Sequence, residues 1–418
     1  MKENTTHTAQ KAKTISIAEA LAIIKANIPE AAQKKCSLEE GIGKYLAEDI
    51  TALEPSPRYT NSAMDGFAVR WQDVEEVHPD SPVSLRIIGE SQAGMQYTDT
   101  VGQGEAVRIS TGAVVAPGCD TVIRVEDTRD QGDFVEIHAV KCQGQDIRYR
   151  GEEFQEGELL LRRGTKITAA RAALLASIGV GEVTVFQPCR VAILVTGSEL
   201  VSVGESIADD QIRDSNMIML WAAVREAGGE VVSCIRVSDD EDATRLAIAE
   251  TSADIVLCSG GISVGRHDHV KNAAAANGFD TLFWGIRQKP GKPLYFARRG
   301  KTLLFGLPGN PVSAFMCYTH YVRPVIASLN SLSFGWPMVS GEAVADIHNN
   351  GKRTNMIRVQ LQWRPNGGYS ITHAAKQGSH MLTSLAYADG YIILEPGQKL
   401  ERGERIDVYK YDYIRELV

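Results

Sequence analysis

The sequence predicts a multidomain α/β and β protein: a central doubly wound α/β module, an inserted β domain, a helical linker domain and a C-terminal β domain. A chain of 418 residues is too long for one ordinary core, so about three domains are expected. Between Arg190 and Leu329, strand-like and helix-like segments alternate, which is typical of a mainly parallel sheet with helices on both faces. Short β-rich runs separated by turn residues fill residues 54–140 and return in the C-terminal tail.

Two helical segments flank the first β-rich region. "SIAEALAIIKANI" begins with Ser16 and Glu19 in capping-box spacing and carries one apolar stripe, and "TAARAALLASIG" runs from Thr168 to a terminating Gly179. We expect these two segments to pack together, so that the β-rich region is an insertion. The predicted domains are residues 14–53 with 151–188 (helical linker), 54–150 (inserted β), 189–330 (α/β) and 337–418 (C-terminal β).

Six strands are predicted in the α/β module: "RVAILVTG", "EVVSCIRV", "ADIVLCSGG", "DTLFWGI", "PLYFA" and "TLLFG". The segments "SNMIMLWAAVREAGG" and "DDEDATRLAIAE" predict helices between them. Sheets of this kind bind ligands at the carboxyl ends of their strands, which makes the loops there the candidate site. In the tail, "NMIRVQLQW" and "YSITHAA" form a predicted hairpin around "RPNGG".

Composition excludes several functional classes. The formal net charge of −8 argues against broad nucleic-acid or membrane binding. The start is polar, and no run reaches the roughly 18 apolar residues of a membrane span. We therefore expect a cytoplasmic protein. The seven cysteines are scattered and never in C-x-x-C spacing, which predicts reduced thiols rather than disulfides or a zinc knuckle.

The stretch "GLPGNPVSAF" predicts a helix that begins directly at the end of the strand "TLLFG". Asn310 is a favourable N-cap residue, and Pro311 suits the first helical position. The free N–H groups of such a helix form an anion site, and a well-capped core helix is the alternative interpretation. The candidate binding residues of this loop are Pro308, Gly309, Asn310 and Pro311.

A second small-residue loop, "CSGGISVGRHDHV", also follows an apolar strand. Its backbone N–H groups can approach a phosphate closely, whereas a plain tight turn would need fewer glycines. The candidate residues are Ser259, Gly260, Gly261, Ser263 and Gly265.

A cationic run surrounds "GIRQKPGKP". The glycine spacing is wrong for a Walker loop, and a proline stands where Ser or Thr would hold magnesium. Lys289 and Lys292 lie on a loop stiffened by Pro and Gly, which favours a fixed anion contact over a solvated hairpin.

Carboxylates gather at the predicted strand ends. Acids beside phosphate loops suggest Mg²⁺ bound by oxygen ligands, although each acid alone is better explained as a helix cap than as a ligand. "HDH" is a poor zinc site because neighbouring residues point in different directions and no third ligand is evident. The acids concerned are Glu199, Asp214, Asp239, Asp240 and Asp268.

The motifs "TGSEL", "IRDSN", "SGGISVGRHD", "KPGKP" and "GLPGNPVSAF" occur in this order, and "NSAMDGFAVR", "RISTGAVVAPGCDTVIRVEDT" and "KQGSH" accompany them. Together they resemble the molybdopterin molybdotransferase family, which comprises the MoeA proteins and the C-terminal domain of gephyrin. The central module alone would also fit molybdopterin adenylyltransferases, but those lack the "SAMDG" domain and the C-terminal β domain.

The resemblance implies insertion of molybdate into adenylylated molybdopterin with release of AMP. It also implies a pterin-binding α/β module, a β-barrel-like C-terminal domain, and a homodimer whose site takes the "SAMDG" domain from the second subunit. The family's catalytic positions match Asp65, Thr111, Glu199, Asp239 and Asp268, with Glu199, Asp239 and Asp268 placing Mg²⁺. Lys289, Lys292, Arg358 and Ser379 would face the molybdate or the pterin phosphate, and the two small-residue loops would hold the adenylyl and phosphate groups.

The chain departs from the family pattern at Ser198, Glu153 and His269, where Asp or Asn, Asp and Tyr are common, respectively. Two other functions stay open: an adenylyltransferase consuming ATP and molybdopterin, and a gephyrin-like dimeric scaffold that binds a partner peptide. The retained acids and lysines favour the enzyme. Expected protein partners are a molybdopterin adenylyltransferase and molybdoenzyme maturation proteins.

Overall fold

The computed structural model describes residues 14–262, 269–365, 367–374 and 377–411. The chain divides into two compact units. The inserted unit is Cys36–Val183, and the main unit combines Met1–Lys35 with Thr184–Val418. The finer domain boundaries given above stay a prediction.

The main unit contains a six-stranded sheet. Its first four strands are parallel, the fifth is antiparallel to both of its neighbours, and the sixth closes the far edge. The order across the sheet is Glu230–Val237, Arg190–Thr196, Ile255–Ser259, Thr302–Leu307, Tyr295–Arg299 and Asp280–Trp284.

Apolar side chains project from both faces of this sheet. Along the strand Arg190–Thr196, Ile193 belongs to one buried cluster and Leu194 to a second. The first cluster contains residues of the helices Ser215–Glu226 and Arg323–Leu329, and the second contains residues of Glu241–Ala249 and Val270–Ala276. Side chains alternate along a strand, so the two clusters cover opposite faces. The sheet is doubly wound.

One continuous helical segment follows the strand Thr302–Leu307. It consists of Pro311–Cys317, a π-helical turn at Tyr318–Val322, and Arg323–Leu329. Nearly all of its residues are buried. A π-helical turn inside an α-helix frequently accompanies a functional site.

The first helix, Ile17–Ala26, begins with the predicted capping box. Ser16 N–H donates to Glu19 Oε2 at 2.7 Å, and Glu19 N–H donates to Ser16 Oγ at 3.2 Å. Its Ala20 and Ile24 pack in the core of the main unit. The second predicted helix is Ala169–Ser177, and it lies in the inserted unit. Within the main unit, the apolar stripe of the first helix is buried against the α/β sheet.

A second six-stranded sheet forms the centre of the inserted unit. Its pairs are antiparallel except that Val83–Ser91 runs parallel to Glu105–Ile109. Phe67, Leu85 and Ile123 are among its buried core residues. The strand order is Thr121–Arg124, Gly66–Val69, Glu105–Ile109, Val83–Ser91, Phe134–Ile137 and Thr128–Asp130.

The C-terminal region is a closed five-stranded barrel. Each strand pairs with two neighbours, and a sixth short strand, Gln288–Lys289, joins from the α/β module. The barrel strands in order are Thr354–Trp363, Tyr369–His373, Met338–Ala343, Arg405–Lys410 and Gly390–Leu394. The predicted fold class is confirmed.

The remaining elements are short and connect these bodies. They are the strands Gln33–Ser37, Ile50–Thr51, Asn61–Ser62, Ile147–Arg148, Leu159–Leu161, Glu182–Phe186, Leu200–Val201, Ile212–Arg213, Ile347–His348 and Lys399–Leu400, the helices Leu38–Gly41 and Leu382–Ala386, and the 3₁₀ turns Trp71–Asp73 and Val125–Asp127.

All seven cysteines are free thiols, as the sequence predicted. Burial raises the pKa of the Cys258 thiol to about 12, and it also raises the pKa of Cys317. Within the described part of the chain, no helix combines the length and apolar character needed to cross a membrane.

Asp214 is a buried helix cap. Its Oδ1 accepts from Met217 N–H at 2.9 Å at the start of Ser215–Glu226. We expect Asp214→Ala to lower the free energy of unfolding by about 1 kcal/mol, because this N–H loses its acceptor. Asp214→Asn keeps an acceptor oxygen and should lose much less. Urea denaturation of the three proteins measures the difference, and equal stability of Asp214→Ala and the unmodified protein would contradict the capping role.

Candidate functional site

The loop Ser259–Gly261 lies directly against the end of the neighbouring strand. Gly260 and Gly261 have φ of +94° and +62°, and a Cβ on Gly260 would lie 2.6 Å from both Thr196 O and Thr196 Oγ1. Gly260 N–H donates to Leu307 O at 3.1 Å. Only glycine fits this position, since a side chain would collide with backbone. Ser263 and Gly265, two further candidates, lie outside the described residues.

Asn216 joins this loop to the loop Pro308–Asn310. Its Nδ2 donates to Ser259 Oγ at 2.9 Å and to Gly309 O at 2.7 Å, and Ser259 Oγ donates to Pro308 O at 3.4 Å. The two small-residue loops are therefore fixed to each other. Asn216 escaped the sequence interpretation, although it belongs to the quoted motif "IRDSN", two residues after the cap Asp214.

The helix predicted from "GLPGNPVSAF" begins at Pro311, as expected, but Asn310 does not cap it through its side chain. The Asn310 amide Nδ2 instead lies 3.4 Å from Ser379 Oγ, and Val312 N–H donates to Ser379 O at 3.2 Å. The expected capping bond is wrong because the chain around Ser379 takes the role of acceptor from outside the helix. Ser379 is thereby brought to the start of this helix, as part of the "QGSH" segment.

The two lysines Lys289 and Lys292 are exposed on one tightly held loop. The fully buried Gln288 organises it: its Nε2 donates to Pro290 O at 3.0 Å and to Gly291 O at 3.4 Å, and its Oε1 accepts from the hydroxyl of Tyr321. Tyr321 lies in the π-helical turn, so the lysine loop is fixed to the helix that begins at Pro311. The signal in the sequence that could have identified Gln288 was an uncharged glutamine between two cationic residues, Arg287 and Lys289.

Gly291 makes the same anchoring possible. Its φ is +87°, and a Cβ there would collide with Cys317 Sγ and lie 2.8 Å from Gln288 Nε2. The loop backbone thus approaches the helix Pro311–Cys317 more closely than any side chain would allow.

Arg358 is a fully buried cation on the barrel strand Thr354–Trp363. Its Nε donates to Ser384 Oγ at 3.1 Å and its Nη2 to Gly378 O at 3.3 Å. Its Nη1 has no hydrogen-bond partner among the described residues, and burial lowers the pKa of the guanidinium. Arginine stays protonated in proteins, so this is a buried positive charge that an anion beside the "QGSH" segment would stabilise.

Two of the candidate metal acids, Glu199 and Asp239, follow the ends of neighbouring strands. Asp239 Oδ2 accepts from Ser198 N–H at 3.0 Å, and Asp239 N–H donates to Ser198 Oγ at 3.1 Å. Ser198, one of the departures from the family pattern, therefore holds Asp239 in place. Glu199 is exposed next to it, and Asp268 lies outside the described residues. Across the described ranges, no three His, Cys, Asp or Glu side chains form a metal-binding group.

Asp65 and Thr111 meet in the inserted unit although 46 residues separate them. Asp65 Oδ1 accepts from Thr111 N–H at 2.6 Å and from Thr111 Oγ1 at 3.0 Å. Both bonds favour the charged carboxylate, and they lower the pKa of Asp65. The "SAMDG" segment therefore presents an ionised, exposed carboxylate.

Comparison with known proteins identifies the family. Models of the MoeA N-terminal region (domain I and II), of a probable molybdopterin binding domain and of the MoeA C-terminal region (domain IV) match residues 15–179, 192–328 and 340–411. A molybdopterin molybdenumtransferase of Nostoc sp. is 36% identical, over 85% of this chain and 83% of the relative. The Haemophilus influenzae protein of the same name is 31% identical, over 90% of this chain and 94% of that protein. The chain belongs to the MoeA family.

Members of the MoeA family are transferases of molybdenum cofactor biosynthesis, and the resemblance drawn from the motifs is confirmed. A crystal structure of a MoeA protein from Pyrococcus horikosii superposes with a TM-score of 0.84 at 28% identity, covering 96% of this chain and all of that one. The roles of the individual site residues stay predictions.

Gly291 gives a test of the lysine-loop anchor. We expect Gly291→Ala to lower the unfolding midpoint clearly more than Gly300→Ala, which shares a positive φ (+57°) but has no atom within 4 Å of its Cβ. The backbone penalty is then common to both variants, and the additional loss, about 1–3 kcal/mol for overpacking, reports the collision with Cys317 and Gln288. Urea denaturation measures both, and equal losses would mean that the loop does not press on the helix.

Proposed function

We propose that this enzyme inserts molybdate into adenylylated molybdopterin and releases AMP, acting as a homodimer with Mg²⁺. The observation that carries the proposal is the buried charge of Arg358, whose Nη1 has no hydrogen-bond partner in the described part of the chain, beside the segment that contains Ser379. Ser379 bonds the start of the helix at Pro311, and that helix holds the loop with Lys289 and Lys292 through Tyr321 and Gln288. Cationic groups from the lysine loop and from a barrel strand are thus linked to one helix.

Such a cluster suits a reaction between two anions. Molybdate and the phosphoanhydride of the adenylylated pterin repel each other unless positive groups offset their charge. In the proposal, Lys289, Lys292, Arg358 and Ser379 hold molybdate near the dithiolene sulfurs of the pterin. Because their partners are already fixed before substrate binds, little reorganisation is needed when the anions meet.

The two small-residue loops hold the other substrate. The loop Ser259–Gly261, with Ser263 and Gly265, would lie against the phosphate oxygens, and the loop Pro308–Pro311 would face the adenylyl group. Positive φ at Gly260 and Gly261 supports this role, because it turns the backbone sharply at the carboxyl end of the strand, where sheets of this kind bind ligands.

The donor set fits Mg²⁺. Glu199 and Asp239 offer carboxylate oxygens at adjacent strand ends, which is the ligand type that Mg²⁺ prefers, and Asp268 would add a third. When bound, the ion supplies positive charge that neutralises phosphate oxygens. Ser198 contributes by fixing the orientation of Asp239 through two hydrogen bonds.

Asp65 and Thr111 would complete the site from the partner subunit. The hydrogen bonds from Thr111 keep the Asp65 carboxylate ionised, so that it accepts hydrogen bonds from the substrate rather than donating them. Cytoplasmic location and transfer of intermediates from an adenylyltransferase and to maturation proteins belong to the same proposal.

Molybdate-dependent AMP release is the decisive experiment. We expect purified protein with adenylylated molybdopterin and Mg²⁺ to release AMP at a rate that rises and saturates with molybdate, because the oxyanion is a substrate. Lys292→Ala should raise the KM for molybdate roughly tenfold, as loss of one charge-assisted contact does. Lys301→Ala is the control. This lysine precedes the strand Thr302–Leu307, whereas Pro308 follows it, so the two residues lie at opposite ends of the strand. AMP release at one rate with and without molybdate would contradict the assignment, and consumption of ATP with molybdopterin would favour an adenylyltransferase.

Subunit mixing tests the shared site. Asp65→Ala and Lys289→Ala should each inactivate the enzyme. Mixtures of the two should regain up to about a quarter of wild-type activity, because hybrid dimers contain one intact site. Fluorescence energy transfer between labelled subunits verifies exchange, and no recovery despite exchange would mean that each site lies within one chain.

A further inference from the structure

The side chain of Asn216 connects the two loops that the proposed function assigns to the nucleotide and phosphate. Asn216 lies in the first turn of Ser215–Glu226 and is 7% exposed. Its Nδ2 donates to Ser259 Oγ at 2.9 Å and to the backbone oxygen of Gly309 at 2.7 Å. A Cβ placed on Gly309 would lie 3.8 Å from Gly260 Cα, so the two loops are in van der Waals proximity at this point.

Donor and acceptor chemistry fixes the orientation of this amide. Gly309 O can only accept, and Ser259 Oγ uses its hydrogen toward Pro308 O. Both neighbours of Asn216 therefore require a donor, and only the NH₂ group supplies two. A flipped amide would set Oδ1 against Gly309 O.

A second buried asparagine, at the amino ends of the strands of the same sheet, provides a comparison. Asn330, 6% exposed, uses both ends of its amide: Nδ2 donates to Gly228 O at 3.0 Å, and Oδ1 accepts from Cys189 N–H at 3.0 Å. Asn216 Oδ1, in contrast, is buried without a hydrogen-bond partner among the described residues. An unsatisfied buried acceptor costs stability, so Asn216 is a poorer structural residue than Asn330.

We propose that Asn216 is a positioning residue that sets the spacing between the loops Ser259–Gly261 and Pro308–Asn310, and thereby the affinity for the adenylyl and phosphate groups. It acts through Ser259 and Gly309 and does not touch substrate. The inference rests on the proposed function. Loss of Asn216 should affect nucleotide binding more than molybdate binding. The lysine loop is held by Gln288, and the main chain at Arg358 is held by Gln377, so neither contact involves Asn216.

The test compares nucleotide and molybdate parameters in three variants. Asn216→Asp keeps the shape but places an acceptor against Gly309 O, Asn216→Ala removes the link, and Asn330→Ala is the matched control. We expect both Asn216 variants to raise the Kd for AMP and the KM for adenylylated molybdopterin about tenfold, the effect of roughly one net hydrogen bond. The KM for molybdate should change less than about twofold. Asn330→Ala should lower the melting temperature at least as much and leave all three constants unchanged.

Coupling to Ser259 gives a second measurement. If Asn216 acts through Ser259, then Ser259→Ala in the Asn216→Ala background should raise the Kd for AMP less than it does alone. Additive effects would overturn the proposed route. AMP binding is measured by calorimetry only on variants that show a cooperative unfolding transition. If Asn216→Ala does not fold, the near-isosteric Asn216→Asp replaces it in this comparison.

Each outcome has a distinct meaning. Unchanged AMP affinity in Asn216→Asp at a stability loss like that of Asn330→Ala would reduce Asn216 to a structural residue. Equal losses for AMP and molybdate would indicate general disruption rather than loop spacing. If the wild-type protein released no AMP in response to molybdate, the proposed function would fail, while the Kd for AMP would still decide the role of Asn216.

Discussion

The first turns of the helix that begins at Pro311 are the constraint on which the rest of the main-unit site depends. Val312 N–H bonds Ser379 O, the preceding Gly309 O accepts from Asn216, and Cys317 and Tyr321 hold the lysine loop. Three segments that are far apart in sequence are thereby fixed to one rigid element. The helix can hold these segments in place because nearly all of its own residues are buried in close-packed surroundings, which leaves it little freedom to move.

Several of these contacts cost stability locally. Arg358 keeps one guanidinium nitrogen unpaired in the interior, and the oxygen of Asn216 is similarly unsatisfied within the described structure. Two loops require glycine at one position each, Gly260 and Gly291, because φ is positive there and a side chain would collide with neighbouring atoms. Such features are expected where a protein fixes polar groups for a ligand rather than for its own fold, since groups held in advance need not reorganise during a reaction. The buried clusters on both faces of the α/β sheet stabilise the unit that contains them.

The sequence predicted most elements because their signals are local. The capping box at Ser16 and Glu19, the helix between Thr168 and Gly179 and the hairpin between Thr354–Trp363 and Tyr369–His373 all occur as expected. The prediction failed where a non-local partner replaced a local one. Asn310 has the residue type and position of a cap, yet Ser379, 69 residues away, takes its place at the first free N–H.

By itself, the sequence determined the fold class, the family and the residue types of the proposed site, because periodicity, caps and the order of the motifs are properties of the chain alone. Only the tertiary structure decided which groups hold those residues: Gln288 and Tyr321 for the lysine loop, Asn216 for the two glycine loops, and Ser198 for Asp239. It also decided that Arg358 is buried and that its Nη1 finds no hydrogen-bond partner among the residues described. These relations join residues across different strands and loops, and no spacing along the chain encodes them, because hydrogen bonding at such distances depends on how whole elements pack.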